Sequence, residues 1–321
     1  MKKKLVSAIK PTGTEHFGNY FGVIQKLVKL QDEYDSNIFI ADLHAITTVQ
    51  NKQELSENSL NIAVDFLSLG LDPKKVTIFK QSDLTAVTEM AWIFGCITTM
   101  PYLMRAHAFK DAEAKNKEIN VGVFNYPLLM AADILIHNAD VVPVGKDQKQ
   151  HIEITRDIAE KFNKIYGETF KVPEPLINKD AESIPGIDGR KMSKSYKNTI
   201  EIFADRDQIK ERIMSIKTDS VPQDAPKSTD SILFKIHKMF LAENETNDLI
   251  KKYQEGISYK QAKEDLIDVI DNFSKPLREK RNYWINKKDM VLEILNDGAK
   301  KTKKETQKTV NLFRDKIGFN L

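Results

Sequence analysis

Cysteine is nearly absent from this sequence of 321 residues, in which Cys96 stands alone. A single cysteine excludes a disulfide within the chain and any zinc site of the CxxC type. Chains this poor in thiols are typical of a reducing, intracellular compartment, so we expect a cytoplasmic protein. Because Cys96 lies in an apolar helical pattern, we interpret it as a core residue.

Long apolar runs and the common glycine-rich nucleotide motifs are missing as well. No stretch of about 18 uncharged apolar residues occurs, so the sequence predicts no transmembrane helix. No apolar core follows the basic start before Pro11, so we expect no signal peptide. The absence of a GxGxxG fingerprint and of a Walker A loop argues against both of those nucleotide-binding folds.

Charge is nearly balanced, with 49 basic and 46 acidic residues and a net charge of +3. This balance favours no class of partner. The distribution is uneven, because the C-terminal third is rich in lysine: Lys287, Lys288, Lys300, Lys301, Lys303, Lys304 and Lys308. Such runs form either a solvated helix face or a contact surface for an acidic partner.

Short apolar runs alternate with helical patterns in the first half of the chain. Helical patterns at Asn51–Gly70 and Ala86–Met100 separate some of the runs. This alternation predicts an α/β fold with a parallel sheet covered on both faces, and ligands at the carboxyl ends of its strands. The predicted strands are Lys4–Ile9, Asn37–Asp42, Val76–Phe79 and Asp140–Val144.

The loop Pro11–Asn19 joins the first predicted strand to a helical pattern. A helix N-terminus favours an anion, because its backbone N–H groups are unpaired and its dipole is positive there. Gly18 permits close approach of another backbone, and His16 can donate to a phosphate oxygen. We therefore interpret this loop as a phosphate site.

The apolar stretch Tyr126–Ile136 contains one acid, Asp133, at its centre. We place Pro127 in the first turn of a buried helix. A buried carboxylate needs a donor, and either a backbone N–H or a flat apolar ligand with one N–H or O–H could supply it. Met130 and Tyr126 share the helix face of Asp133, so the second alternative predicts an apolar pocket whose one hydrogen-bond acceptor is the carboxylate of Asp133.

After the fourth predicted strand come Gly145, Lys146, Asp147 and Gln148, with His151 one turn further. Asp147 and Gln148 are either a plain helix start or groups that hold an ammonium and a ribose.

The stretch Gly189–Ser195 follows a Pro-Gly turn signal and holds two lysines, two serines and one methionine. Lysine is a compact charge on a flexible stem. Such a loop can bring two positive charges onto a polyphosphate.

These residues together resemble a family over nearly the whole chain. His16-Phe17-Gly18-Asn19 resembles the HIGH motif, and Lys191-Met192-Ser193-Lys194-Ser195 is an unaltered KMSKS motif. With Met130 to Asp133 and Asp147 to His151, the sequence is similar to the bacterial-type tryptophanyl-tRNA synthetases, which are class I aminoacyl-tRNA synthetases. The resemblance implies a Rossmann-like catalytic domain and a C-terminal all-α domain.

The resemblance also implies roles for individual residues. His16, Lys191 and Lys194 would be catalytic. Asp133 would accept from the indole N–H of L-tryptophan, in a pocket with Met130, His44, Tyr126 and Gln148. ATP, with Mg²⁺ on its phosphates, would contact Lys10, Pro11, Thr12, Gly18, Asn19, Gly145, Lys146, Asp147, Ile184, Lys191, Met192, Ser193, Lys194 and Ser195. Lys10 and Lys146 depart from the family, where glutamine and an acid are frequent.

By the same resemblance, residues 1–196 form the catalytic domain, with a charged insertion at about 101–125, and residues 197–321 form the helical domain that binds the tRNA anticodon. In this arrangement the last helix packs back on the catalytic domain, and Pro276 kinks or restarts a long helix. Arg278, Lys280 and Arg281 are candidates for contacts with phosphates of tRNA(Trp). The family also implies a homodimer across the segment from Trp92 to Gly122.

Three alternatives keep part of this interpretation. The first is tyrosine activation on the same fold, because Asp133 can also accept from a phenol O–H. The second is a non-catalytic RNA-binding paralogue. The third is a nucleotidylyltransferase acting on another small molecule.

Overall fold

The structure, a computed structural model, describes residues 2–106, 109–110, 113, 119–145, 148–177, 184–222 and 224–320. The chain forms two compact units. Unit 1 comprises Met1–Gly13, Leu27–Lys179 and Lys287–Leu321, and unit 2 comprises Thr14–Lys26 and Asp180–Asn286.

Unit 1 is built on a five-stranded, wholly parallel sheet with the order β3-β2-β1-β4-β5. In β1 and β2, Leu5 pairs with Ser36 and Ile9 with Ile40. Both strands read as nearly continuous buried runs, as expected for a sheet with helices on both faces. The strands are β1 Lys4–Ile9, β2 Asp35–Ile40, β3 Val76–Lys80, β4 Val141–Val144 and β5 Glu174–Ile177.

Helices connect these strands and cover the sheet. Asn51 caps the long helix after β2 by accepting from the backbone N–H of Glu54. The helices are α1 Phe17–Asn19, α2 Gln25–Leu30, α3 Asp42–Ala45, α4 Lys52–Ser68, α5 Ala86–Ile97, α6 Met100–Leu103, α7 Val121–Leu135 and α8 Lys149–Tyr166. A π-helical segment, Tyr20–Ile24, lies between α1 and α2.

The predicted fold class is confirmed, but several local predictions are wrong. Strand β5 was missed, because its four residues include a glutamate and a proline. Helix α7 begins at Val121 with Asn120 as its cap, so Pro127 lies inside the helix rather than in its first turn. The end of the predicted charged insertion is therefore the first turn of α7.

Cys96 is exposed, which contradicts its interpretation as a core residue. Helix α5 buries one face, including Met90, Ile93 and Phe94, and Cys96 lies off that face with the exposed Trp92.

The last helix, α13 (Lys288–Ile317), lies in unit 1 and packs over β3. Gly298 makes this possible, because a Cβ at that position would lie 1.9 Å from the backbone oxygen of Ile78. Further along α13, the fully buried Phe313 packs on Phe94 and Phe162, and Arg314 pairs with Glu89. The bounds of the late helices are α9 Arg206–Met214, α10 Ile232–Lys238, α11 Glu243–Gln254, α12 Tyr259–Ile285 and α13 Lys288–Ile317.

Unit 2 contains α1, the π-helical segment and α9 to α12. Aromatic rings form its centre: Phe17 contacts Phe21, Phe240 and Phe273 at centroid distances of 5.9, 4.8 and 5.9 Å. Helix α12 continues through Pro276 as one helix, so the predicted restart there does not occur.

The predicted domain boundary and the two compact units divide the chain differently. The boundary after residue 196 stays a prediction, since compactness alone does not assign functional domains. Compactness groups α13 with the sheet and Thr14–Lys26 with the helical unit. Within the described part of the chain, every helix is too short or too polar to span a membrane.

Candidate active site

The carboxyl edge of the parallel sheet carries many of the polar side chains predicted to bind a ligand. Lys10 follows β1, Asp42 and His44 follow β2, and Gly145 follows β4. Gln81, which the sequence analysis did not select, follows β3. Parallel strands end at one edge, so residues far apart in sequence meet there.

We call three side chains the pocket base: His44 and Gln81 from this edge, and Asp133 from α7. Nε2 of Gln81 donates to both carboxylate oxygens of Asp133, at 2.9 and 2.8 Å. Nε2 of His44 lies 3.0 Å from Oδ2 of the same carboxylate. Two side chains therefore supply the donors for the buried Asp133, and not the backbone N–H considered in the sequence analysis.

The neighbouring carboxylate of Asp42 holds the chain around the pocket base. It accepts from the backbone N–H of Leu43 at 3.0 Å, and from the backbone N–H of Ser82 at 2.9 Å and the hydroxyl of Ser82. Asp42 thus ties the residues after β2 to those after β3.

Burial raises the pKa of Asp133, while the donors His44 and Gln81 lower it and the charge of Asp42 raises it. The two donors therefore favour the ionised form that burial disfavours. Among the described residues, Oδ1 of Asp133 accepts from Gln81 alone. A carboxylate oxygen has two lone pairs, so Oδ1 can accept from one more donor.

Tyr126 and His151 extend the polar cluster beside the pocket base. The Tyr126 hydroxyl lies 2.6 Å from Nε2 of His151, and its ring makes an edge contact with His44 at a centroid distance of 6.0 Å. Burial raises the pKa of the Tyr126 hydroxyl, which is therefore a neutral donor and acceptor at pH 7. Met130 is half-buried against the core, and Gln148 is exposed just before α8.

The predicted ATP residues of unit 1 lie near the ends of β1 and β4. Nζ of Lys10 donates to the Thr47 hydroxyl at 3.0 Å, and burial lowers the pKa of Lys10. Pro11 is buried and Thr12 exposed, and the backbone oxygen of Gly145 accepts from Gln148 N–H. Lys146 and Asp147 lie outside the described residues.

In unit 2 the segment around His16 pairs with the chain that leaves the KMSKS motif. The backbone N–H of Phe17 donates to Ile200, and that of Ile202 donates to Glu15. Oδ1 of Asn19 accepts from the backbone N–H of His16 at 3.3 Å, and this bond holds the turn that leads into α1. Backbone hydrogen bonds therefore join the segment around His16 to the chain that follows the KMSKS motif.

Gly18 lies where the two motifs touch. Its N–H donates to the sulfur of the buried Met192 at 3.2 Å. A Cβ at position 18 would lie 2.8 Å from Nδ1 of His16 and 3.2 Å from Cβ of Met192. A larger residue would separate the motifs, which is the physical reason for glycine here.

We call residues 184–198 the lysine loop. Its two ends run antiparallel: Met192 N–H donates to Ile184, and Gly186 N–H donates to Arg190. The turn between them contains Gly189 with φ +83°.

The buried Asn198 fixes the interior of the lysine loop. Its Oδ1 accepts from Ser193 N–H at 2.8 Å, and its Nδ2 donates to the backbone oxygen of Lys191 at 3.1 Å and to Asp188 at 2.7 Å. Arg190 pairs with Asp188 and lies 4.3 Å from the ring centroid of Tyr196. Lys191 and Ser195 remain exposed on this frame, and Ser193 is half-buried.

Lys194 lies beside a carboxylate of the opposite motif. Its Nζ is 4.0 Å from Oε1 of Glu15, whose side chain is 1% exposed. Burial, and secondly the charge of Lys194, lower the pKa of His16 to about 4. His16 is therefore a neutral imidazole at pH 7. Its buried Nδ1 has no hydrogen-bond partner in the described part of the chain.

The structure thus brings His44, Tyr126 and Asp133 together in unit 1, and His16 and Gly18 together with Met192 and Lys194 in unit 2. Three polar side chains of these sites were missed in the sequence analysis: Glu15, Gln81 and Asn198. For Gln81 a signal existed, since it lies two residues after the predicted strand Val76–Phe79. The described residues contain no group of three or more His, Cys, Asp or Glu side chains able to hold a metal ion.

Comparison with known proteins gives the family that the sequence motifs predicted, over nearly the whole chain. The profile of the tRNA synthetases class I (W and Y) matches residues 2–275. A tryptophan–tRNA ligase from Fusobacterium nucleatum subsp. nucleatum is 46% identical over 319 residues, which cover 99% of this chain and 98% of that protein. One from Rhodopirellula baltica is 42% identical, covering 98% and 99%.

Comparison with solved structures points to the same family. The crystal structure of tryptophanyl-tRNA synthetase from Campylobacter jejuni complexed with ADP and tryptophan matches with a TM-score of 0.92 at 42% identity, covering 98% of this chain and 99% of that one. The enzyme from Mycoplasma pneumoniae matches with a TM-score of 0.85 at 31% identity, covering 99% and 98%. These relatives favour the tryptophan interpretation over the three alternatives. The chain therefore belongs to the class I tRNA synthetases of the tryptophan and tyrosine branch, and within that branch to the tryptophan–tRNA ligases.

Proposed function

We propose that this chain activates L-tryptophan with ATP and transfers it to the 3′-terminal ribose of tRNA(Trp). The observation that carries the proposal is Asp133, a buried acceptor with one oxygen able to take a further donor, beside the rings of His44 and Tyr126. Tryptophan offers a flat apolar ring with a single N–H. An N–H that meets an otherwise unfilled buried acceptor gives strong discrimination against rings that lack it.

Asp133 accepts from the indole N–H in this proposal, with Met130 and His44 along the ring. Tyr126 and Gln148 hold the ammonium group. Tyr126 is suited to this, because its neutral hydroxyl is already oriented by His151.

The first step is an in-line substitution at the α-phosphate of ATP. A carboxylate oxygen of tryptophan forms the new P–O bond, the bond to the β-phosphate oxygen breaks, and pyrophosphate leaves. ATP enters as its Mg²⁺ complex, with the ion on phosphate oxygens. The protein supplies positioning and charge, which suffice for this chemistry.

Lys191 and Lys194 neutralise charge on the departing pyrophosphate, and His16 donates a hydrogen bond to a phosphate oxygen as a neutral imidazole. The low pKa of His16 supports this role, since the group does not change charge near pH 7. Lys10, Pro11, Thr12, Gly18, Asn19, Gly145 and Ile184, with Met192, Ser193 and Ser195, contact the nucleotide, and so do Lys146 and Asp147.

In the second step a ribose hydroxyl of the tRNA attacks the acyl carbon of the adenylate and AMP leaves. The helical part of residues 197–321 binds the anticodon end. Arg278 is a poor candidate for a phosphate contact, because it donates to Ala204 and pairs with Asp271. We expect the enzyme in the cytoplasm, where charged tRNA is used.

We propose a homodimer formed through α5 and the segment that follows it. Its support is a set of exposed apolar side chains in unit 1, led by Trp92 at 76% exposure: Trp92, Met100, Met104 and Val121. Light scattering at micromolar concentration should give twice the mass of the 36.7 kDa chain. A monomer at that concentration would remove this proposal.

The test of the function is exchange of labelled pyrophosphate into ATP with each of the twenty amino acids. Exchange with tryptophan alone is the expected result. Exchange with tyrosine alone would keep the mechanism and overturn the pocket assignment. No exchange with any amino acid, in folded protein with Mg²⁺, would overturn the catalytic proposal.

A further inference from the structure

Gln81 links the start of α3 to the one acid of α7. Its side chain is buried, and its Oε1 accepts from two backbone N–H groups, those of Leu43 at 3.1 Å and His44 at 3.3 Å. Its Nε2 donates to both oxygens of Asp133. One amide therefore connects three chain segments that meet at the edge of the sheet.

The orientation of this amide is fixed by its partners. The two backbone N–H groups can only donate, so the side-chain atom facing them must be the carbonyl oxygen. The NH₂ group must then face Asp133. Behind the pair, Phe39, Phe79 and Leu84 line the same packed pocket, which leaves the amide little freedom to rotate.

A bridging donor controls which face of a carboxylate a ligand meets. Since Nε2 lies 2.9 Å from Oδ1 and 2.8 Å from Oδ2, it sets the plane of the carboxyl group, and His44 occupies a further position on Oδ2. The remaining acceptor capacity lies on Oδ1. Removing the bridge would free the carboxyl group to rotate about its χ2 bond, which is a broad torsion.

We propose that Gln81 is a positioning residue for amino-acid specificity, which holds the Asp133 carboxylate so that Oδ1 accepts from the ring N–H of the substrate. This inference rests on the proposed function. It predicts that Gln81 affects the preference for a ring with an N–H more than it affects catalysis as such.

The test compares tryptophan with its benzothiophene analogue, in which sulfur replaces the indole N–H. The ratio of kcat/KM for the two substrates, measured by pyrophosphate exchange, reports the N–H contact. In Gln81→Met this ratio should fall about tenfold, the scale of a hydrogen bond to a charged group. A purely structural role would lower both values together and leave the ratio unchanged.

Gln31 provides a matched control in unit 1. It is also buried, and its amide also bridges two groups, donating to Gly70 and accepting from Asp72 N–H. Gln31→Met should therefore destabilise the protein to a similar degree without changing the substrate ratio. A ratio that changes equally in both variants would overturn the role of Gln81.

Gln81→Glu tests the donor alone and serves if Gln81→Met does not fold. It keeps an oxygen for the N–H groups of Leu43 and His44 but places a second oxygen against Asp133. A proton shared between the two carboxyl groups can restore the bridge, so the ratio should recover towards the wild-type value at low pH and fall at high pH. The other titratable groups near Asp133 include His44, Asp42, His137 and Tyr126, and wild type measured over the same pH range corrects for them.

Each failure has its own signature. Wild type without tryptophan-dependent exchange overturns the proposed function. Wild type that uses both substrates equally overturns the contact between Asp133 and the ring N–H. Wild-type discrimination that persists in Gln81→Glu at high pH overturns the role of Gln81 alone.

Discussion

The pocket base in unit 1 and the lysine loop in unit 2 hold their polar side chains in different ways. Asp133 and Gln81 are 3% and 1% exposed, and their polar atoms meet partners on other segments of the chain. In the lysine loop the buried polar residue is Asn198, which bonds the backbone, while Lys191 and Arg190 are exposed.

This difference matches two chemical tasks. Recognition of one N–H among similar rings requires an acceptor whose position is fixed before the ligand arrives, because an unfilled buried acceptor is what penalises the wrong ring. Stabilisation of charge on a departing pyrophosphate requires cations placed near the phosphate oxygens, and exposed lysines on flexible stems can supply them. In the proposed function, the buried pocket base selects the amino acid and the exposed lysines of the loop supply charge.

Removal of Lys194 should give the largest effect and separate the two tasks. We expect Lys194→Ala to slow adenylate formation in a single turnover by about 10²–10³-fold, the usual scale for loss of one transition-state donor. Equilibrium binding of tryptophan should stay within about twofold, because Lys194 is proposed to contact the pyrophosphate and not the amino acid. Lys210→Ala, an exposed lysine of α9, is the control and should match wild type. Near-normal activation by Lys194→Ala would contradict the role of the loop.

The reverse change is Asp133→Asn, which keeps the size of the side chain and removes its charge. An amide at this position must turn its NH₂ towards one of the donors Gln81 and His44, which leaves buried donors facing each other. We expect kcat/KM for tryptophan to fall about 10²-fold, from an unsatisfied-donor cost of about 1–3 kcal/mol and the lost contact. The KM for ATP should change less than about twofold. A large rise in that KM would show that the two sites are not separable in this way.

Acid should lower the free energy of unfolding through His137, a buried residue that lines the same packed pocket as Asp133. Burial, and secondly the charge of Lys4, lower the pKa of His137 to about 3, and Asn37 donates to its Nδ1. Above pH 6.5, the unperturbed value, both the folded and the unfolded state are neutral, so this stability is fully present. As pH falls, the unfolded state takes up the proton first, and the free energy of unfolding drops by about 2 kcal/mol between pH 7 and pH 5.

Urea unfolding of wild type and His137→Gln at these two pH values measures this contribution. The loss on acidification should be about 2 kcal/mol smaller in the variant. The interval from pH 8 to pH 7 is the internal control, where wild type and variant should change in parallel. An equal loss in both proteins between pH 7 and pH 5 would assign the acid sensitivity to other groups, among them His16 and His237 in unit 2.

The sheet and both motifs could be predicted from the sequence because each depends on residues close together in the chain. Four apolar runs predicted β1 to β4, whereas β5 has only four residues with a proline among them. The start of α7 was misplaced because Pro127 resembles a first-turn proline, although the cap is Asn120.

The residues that orient the side chains of the two sites were harder to predict, because their hydrogen-bond partners are far away in the sequence. Gln81 bonds residues 37, 38 and 52 positions away, and neither its type nor its neighbours indicate those partners. Sequence shows which side chains can do chemistry, but the amides that orient them are ordinary polar residues until the fold supplies their partners. The assignment of His16, Lys191 and Lys194 to catalytic roles, and of Asp133 to tryptophan binding, stays a prediction.

Asn198 gives the smallest expected effect and sharpens the comparison, since it is the buried amide of the lysine loop. Asn198→Ala removes the bonds to Ser193 N–H and the backbone oxygen of Lys191, which lie on either side of Met192. The lysines then keep their charge, but the backbone that carries them is no longer fixed. We therefore expect kcat for adenylate formation to fall about tenfold, which corresponds to about 1.4 kcal/mol. Asn163 in unit 1 is the matched control, because its amide likewise brackets a loop by bonding Thr169 and Phe170. If Asn163→Ala lowered kcat as much, the effect would be one of general stability. Asn198 would then not be the residue that positions the lysine loop for catalysis.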